Sequence, residues 1–172
     1  MECLAERHST REFTADPLPL QTLSNLLWAA FGVNREDGRR TAPSARNWQE
    51  ADIYVFLEEG IYRYDATANR LQSILPGDHR AATGQQDFVS VAPLNLLYVS
   101  DLAKMGTAAE ADKILYAAAD VGFIAQNVYL YCASEGLAAV VRGLVNREEL
   151  AKTLELRPDQ RIILAQTIGY PQ

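Results

Sequence analysis

Hydrophobic and polar positions change period several times along this chain, and each change marks an element. The longest uninterrupted pattern runs from about Ala109 to Gly136, AEADKILYAAADVGFIAQNVYLYCASEG, with no proline and one internal glycine, Gly122. Its composition predicts a single helix of about seven turns. Between Ile114 and Cys132 the apolar residues go nearly all the way round, where an amphipathic surface helix would show one stripe. Such a helix is expected either inside the core or packed between two subunits. Asp120, Gln126 and Asn127 interrupt it too often for a membrane span of about 20 residues.

The rest of the chain reads as shorter elements around this helix. Glu2 to Arg7 predicts one helical turn, and Leu20, Leu23, Leu26, Leu27 and Ala30 recur at helical spacing after Pro19 and stop at Gly32. Asn34 to Asn47, NREDGRRTAPSARN, is a long polar loop. Strands are predicted at Ile53 to Leu57, Ile61 to Tyr64 and Leu71 to Leu75, the first two joined as a hairpin through Glu58-Glu59-Gly60. Arg80 to Val89 stays ambiguous, a helix interrupted at Gly84 being one reading. Leu94 to Ser100 and Gly136 to Gly143 have the apolar runs of interior strands, the second ending near Arg142. Asn146 with Glu149 has the form of a capping box for a helix to about Leu154, and Ile162 to Ile168 is the last strand. The pattern predicts one α+β domain over residues 1–172, a mixed, mainly antiparallel sheet flanked by helices.

Composition narrows the function classes. A formal net charge of -6 argues against a nucleic-acid partner, which usually demands a basic face. Nothing in the N-terminal segment reads as a secretion or membrane signal, so the cytoplasm is the expected address. Two cysteines, Cys3 and Cys132, are too few for a disulfide scaffold, and Cys132 reads as a small core residue. His8 and His79 are the only histidines, and neither sits at metal-ligand spacing, so no metal site is expected. No G-x-S-x-G, P-loop or G-x-G-x-x-G occurs. An enzyme of this composition would borrow its reactive group from a cofactor. The segment Arg7-His8-Ser9-Thr10-Arg11 has an anion-binding composition, although a solvated polar loop has the same one.

Several motifs then fall in a familiar order. Arg7-His8-Ser9-Thr10-Arg11-Glu12-Phe13, Leu23 to Ala30 with Gly32, Arg40-Thr41-Ala42-Pro43-Ser44-Ala45-Arg46-Asn47, Asp120-Val121-Gly122 with Gln126-Asn127, Glu135-Gly136-Leu137 and Ile168-Gly169-Tyr170-Pro171 span essentially the whole chain. Together they resemble the FMN-dependent nitroreductase family, most of all the compact branch that includes the azoline-forming oxidase domains. The resemblance implies the α+β nitroreductase sandwich, a homodimer with FMN at the subunit interface, and NAD(P)H as reductant.

By the same resemblance, Arg7, His8 and Ser9 belong to the cofactor site, with Arg7 and Ser9 at the FMN phosphate and ribityl chain. Arg11 is implied at the pyrimidine edge, where a fixed cation stabilises the negative charge of two-electron reduction. Pro43, Ser44, Ala45 and Asn47 are implied to come from the partner subunit. Glu135 and Gly136 are implied to offer backbone amides to flavin N5 and O4, with Leu137 beside them, although Glu135-Gly136 also reads as a helix stop. Many relatives carry a Lys or Arg just beyond the Gly-Tyr-Pro turn, where this sequence has Gln172. Arg142 is the expected substitute at the phosphate, its other reading being a surface arginine. The implied reaction is ping-pong reduction of a nitroaromatic or quinone-type small-molecule acceptor through flavin N5, with no obligatory protein acid or base. A flavin oxidase or dehydrogenase acting on a specific metabolite or peptide, and a non-catalytic flavin-binding protein, are the alternatives.

Overall fold

The structure, a computed structural model, describes all 172 residues. Six strands form one sheet: β1 Ala51–Leu57, β2 Gly60–Asp65, β3 Arg70–Pro76, β4 Leu94–Asp101, β5 Ala138–Arg142 and β6 Gln160–Gly169. Their spatial order is β3-β2-β1-β4-β6-β5, and all five neighbouring pairs run antiparallel. Five helices accompany it: α1 Glu2–Glu6, α2 Leu20–Phe31, α3 Phe88–Val91, α4 Glu110–Ser134 and α5 Arg147–Thr153. No helix is long and apolar enough to cross a membrane.

Alternation along the central strand builds the layers. All eight residues of β4 are buried: Leu94, Leu96 and Tyr98 join the large core beneath α2 and α4, while Leu97 and Val99 join a smaller core with Leu150 and Leu154 at α5. The helix α2 delivers Leu23, Leu26, Leu27 and Ala30 to the large core as its spacing predicts, while Leu20 stays exposed. Gly32 ends α2 in extended conformation, and a Cβ there would lie 2.4 Å from the Trp28 ring; close packing, not a left-handed turn, requires the glycine. Asn146 caps α5 as predicted, its Oδ1 accepting the Glu149 N–H at 3.3 Å, but the reciprocal half of the box is replaced by Asn146 Nδ2 donating to Glu149 Oε2 at 2.8 Å.

Of the two expectations for α4, burial in the core of one chain and packing between two subunits, the first is not met. The helix is not surrounded within the chain: Ala117, Asp120, Val121, Ile124, Ala125, Val128 and Cys132 are buried, but Ile114, Leu115, Tyr116 and Phe123 are exposed. A helix lying on one sheet beside α2 has only one face to bury, so its second apolar face stays uncovered. The ambiguous Arg80 to Val89 stretch is also settled: a short 3₁₀ turn, Arg80–Thr83, precedes α3, with Gly84 extended between them.

Candidate functional site

The two ends of the chain meet beside the edge strand β5. The Thr10 N–H donates to Ala139 O at 3.0 Å and the Thr14 N–H to Tyr170 O at 3.0 Å, so residues 10–14 run as a strap along β5 and the C-terminal residues. Behind the strap lies a groove of about 170 Å³ lined by Arg7, His8, Thr10, Tyr129, Gly136, Leu137 and Pro171 among others. The Arg7 guanidinium lies over the Tyr129 ring, 5.2 Å from its centroid. The Tyr129 hydroxyl accepts the Val141 N–H at 2.8 Å and shares a hydrogen bond with Ser9 Oγ at 2.9 Å. His8 Nδ1 donates to Glu6 O at 2.7 Å. Neither Arg7 nor Arg11 is ion-paired, and Arg11 is exposed.

At the other wall α4 ends. Its cap consumes two amides: Glu135 N–H donates to Tyr131 O and Cys132 O, and Leu137 N–H to Cys132 O at 2.8 Å. This corrects the expectation that Glu135 and Gly136 both present free amides. Gly136 alone keeps an unpaired N–H, at φ +68, with nothing within 4 Å of where a Cβ would stand. The helix stop and the open amide are therefore one feature.

The loop carrying Pro43, Ser44, Ala45 and Asn47 opens on a different cavity of about 500 Å³, whose wall holds Arg35, Arg39, Arg40 and Arg46. No residue lines both it and the Arg7 groove, so one chain does not join the two halves of the predicted site. Much of this loop's polarity faces inward. Ser44 Oγ donates to Glu50 Oε2 at 3.2 Å and accepts the Gln49 N–H at 2.8 Å, and the Ala45 N–H donates to Asp120 Oδ2 at 2.8 Å. Arg46, Asn47 and Gln49 take left-handed φ values of 50, 56 and 48, a conformation that non-glycine residues adopt at some cost.

Arg142 is not at the groove. Alternation along β5 sends Ala139 and Val141 toward α4 and Arg142 to the opposite face. There it is 4% exposed and donates to Thr167 Oγ1, Thr83 O, Thr83 Oγ1 and Asn95 Oδ1. Burial without a carboxylate partner lowers its pKa to about 10. Both earlier readings, phosphate ligand and surface arginine, give way to a buried network that ties β4, β5 and β6 to the Arg80–Thr83 turn.

The donor set of the groove fits a flavin mononucleotide. The unpaired Arg7 guanidinium in its lining, with the Ser9 hydroxyl and the exposed Arg11 nearby in the chain, suits a phosphate and polyol, and an open glycine amide suits the edge of a flat ring. A volume near 170 Å³ falls short of the about 300 Å³ of a typical ligand pocket, so the groove is only one wall of such a site. Tyr129 and Glu50 were not singled out by sequence, and Asp120 only as part of a family motif with no role at the site. The available signal was weak: a tyrosine in an apolar helix carries a polar tip that needs a partner, and here that partner lies 120 residues away.

A sandwich of a six-stranded antiparallel sheet and a long helix, with the Arg7 guanidinium stacked on Tyr129 near that helix's C-terminus, is the nitroreductase architecture. The family model of that name matches residues 4–170, and the chain belongs to the nitroreductase family. A Methanocaldococcus jannaschii protein bearing a provisional nitroreductase name is 32% identical over 166 residues, 91% of this chain and 84% of its own. The crystal structure of a provisionally assigned nitroreductase from Ralstonia eutropha JMP134 shares 48% identity and superposes with a TM-score of 0.95, over 100% of this chain and 82% of that one. The NADPH:FMN oxidoreductase of Vibrio harveyi, in complex with NAD+, shares the fold at a TM-score of 0.75 and 22% identity, over 99% of this chain and 68% of its own. Family membership places the chain among oxidoreductases.

Proposed function

We propose that the protein is an FMN-dependent NAD(P)H oxidoreductase that works as a homodimer and reduces nitroaromatic or quinone-type acceptors. The observation that carries this reading is the groove itself: its lining holds both Arg7, stacked on the Tyr129 that also bonds Ser9, and Gly136 with its unpaired amide. The Vibrio harveyi enzyme supports it by analogy of fold, being an NADPH:FMN oxidoreductase that takes a nicotinamide nucleotide. FMN, when bound, would supply the redox chemistry, accepting a hydride from NAD(P)H and passing reducing equivalents to the acceptor in alternating half-reactions.

The chain's own part is binding, orientation and electrostatics. Arg7 supplies the phosphate contact, pre-oriented by its stacking on Tyr129. Arg11 brings a positive charge to the ring edge where electron density accumulates. The Gly136 N–H donates to the opposite edge, and no side chain obstructs the approach. Residues Pro43 to Asn47 of a second subunit would close the site, which accounts for the two separate cavities and for the uncovered face of α4. No residue of the groove is required as an acid or base.

The test is a visible absorption spectrum of the purified, dialysed protein before and after anaerobic NADPH or NADH. Flavin bands that bleach on addition are the expected result. Bands that persist would replace the reading with an oxidase or carrier, and a colourless protein that takes up no added FMN would overturn it.

A further inference from the structure

Glu50 is the residue immediately before β1, and it is fully buried, at 0% exposure. Asp120, on the inner face of α4, is 3% exposed. The two carboxyl groups lie near enough to interact electrostatically, and they hold adjacent residues of one turn, Ser44 and Ala45. Neither is ion-paired. The donors available to them are few: Ser44 Oγ gives its proton to Glu50 Oε2, and the Ala45 N–H goes to Asp120 Oδ2. Glu50 Oε1 has no donor at all.

Two ionised carboxylates so placed, both out of water and served by two donors, would be a costly arrangement. One proton between them removes the repulsion and supplies the missing donor. Burial first, and the Asp120 carboxylate next, push Glu50 above the usual carboxyl range, in keeping with this. The charged groups on the surrounding elements do not compensate the pair. Lys104, in the Leu102–Met105 turn, spends its ammonium on Gln49 O at 3.3 Å and Asp52 at 3.7 Å. Arg40 donates to Gln49 Oε1, Arg46 stacks on Trp48, and Asp101 at the end of β4 pairs with Arg157.

We infer that Glu50 and Asp120 are positioning residues that share one proton, and that this carboxyl pair clamps the Ser44–Gln49 turn to α4 in the shape that reaches the flavin of a partner subunit. The flavin half of the inference rests on the function proposed above. The clamp engages the start of the turn, through the Ser44 hydroxyl and the Ala45 amide, and Ser44 Oγ in turn accepts the Gln49 N–H at its end, across a stretch with three residues held at left-handed φ. The clamp acts beside the turn's own bonds, Asn47 N–H to Ser44 O and Trp48 N–H to Ala45 O, and beside the contacts of the Gln49 side chain with Arg40 and Gly38 O; it alone ties the start of the turn to α4. The sign of the pH response follows. The folded protein holds this proton more tightly than the unfolded chain, so the clamp is complete below the ordinary carboxyl range and is lost as pH rises through Glu50's raised value.

The experiment uses the full-length protein in three measurements. Infrared spectroscopy of the wild type across a pH series is expected to show the carbonyl band of a buried protonated carboxyl persisting above the ordinary carboxyl range, absent in E50Q; a wild type without that band overturns the shared proton. Amide exchange at Ala45 and Gln49 is expected to speed up at least about tenfold in D120A, and flavin affinity by fluorescence titration to fall about tenfold, while E50Q, whose carboxamide supplies a permanent N–H, stays near wild type in both. E50A carries the same expectation as D120A without touching α4, should D120A fail to fold. Unchanged exchange and affinity in both alanine variants would overturn the clamp. A ratio of wild-type to E50Q flavin affinity that declines as pH rises is the third expected result, the ligand's own ionisation cancelling in the ratio. Wild-type protein that binds no FMN would sink the functional reading instead, with the infrared band and the exchange rates still deciding the clamp in the flavin-free protein.

Discussion

Tyr129 concentrates more of the candidate site than any other single residue. Its ring supports the Arg7 guanidinium, and its hydroxyl accepts the Val141 amide while orienting Ser9. These roles separate by substitution. Removing only the hydroxyl, in Y129F, leaves a β5 amide unpaired and Ser9 unguided, a loss of about 1 kcal/mol that is expected to weaken FMN binding about fivefold. Removing the ring as well, in Y129L, also forfeits the cation–π contact, for a further loss of about 1 kcal/mol. Fluorescence titration with FMN reads both steps, and a Y129F protein with wild-type affinity would show that the hydroxyl network does not serve the ligand. Gly136 makes the complementary point about backbone. With φ at +68 and empty space beyond its Cα, it is constrained by conformation and not by crowding.

At the scale of elements, the Arg142 network shows how a buried cation fixes a connection. Its guanidinium gathers Thr83 before Gly84, Asn95 on β4 and Thr167 on β6, and Gly84 is where a Cβ would fall 1.9 Å from Nη1. Replacing it by methionine strands several buried acceptors, and R142M is expected to lose about 2–4 kcal/mol of stability in urea unfolding, with flavin affinity per folded molecule unchanged. A fall in affinity with intact stability would return Arg142 to the ligand site. This residue also marks where sequence reading stops. Elements with their own periodicity were legible: α2, β4, α4 and the Asn146 cap lie where spacing and capping chemistry place them. The motif residues Arg7, His8, Gly136 and Leu137 line one groove, and Ser9 is bonded to its Tyr129 wall. What sequence did not carry was pairing at a distance. Arg142 reads as an exposed strand end until Thr83 and Asn95 are brought to it, and Glu50 and Asp120 are ordinary acids until the fold removes their water. Such features depend on the final packing, and neither propensity nor local spacing encodes them.

For the whole molecule, the decisive fact is the second face of α4. Leu115 is 62% exposed and Phe123 48%, with Ile114 and Tyr116 also uncovered, while the small residues Ala118, Ala119 and Gly122 between them leave the helix backbone approachable. A soluble chain rarely leaves so contiguous an apolar strip in water unless something covers it. In the proposed homodimer a second copy would cover it with the same strip, as two-fold interfaces do, and would at the same time bring one subunit's Pro43–Asn47 loop toward the other's Arg7 groove. Assembly and ligand binding should therefore fail together. The double variant L115E/F123E places two unpaired carboxylates on each side of the strip, a penalty of several kcal/mol, so its dimer dissociation constant is expected to rise at least about a hundredfold. Analytical ultracentrifugation with and without FMN reads both consequences: a dimeric wild type that binds FMN, and a folded monomeric variant that does not. A monomeric variant that kept full FMN affinity would place the complete site within one chain, and a variant that stayed dimeric would move the interface off α4.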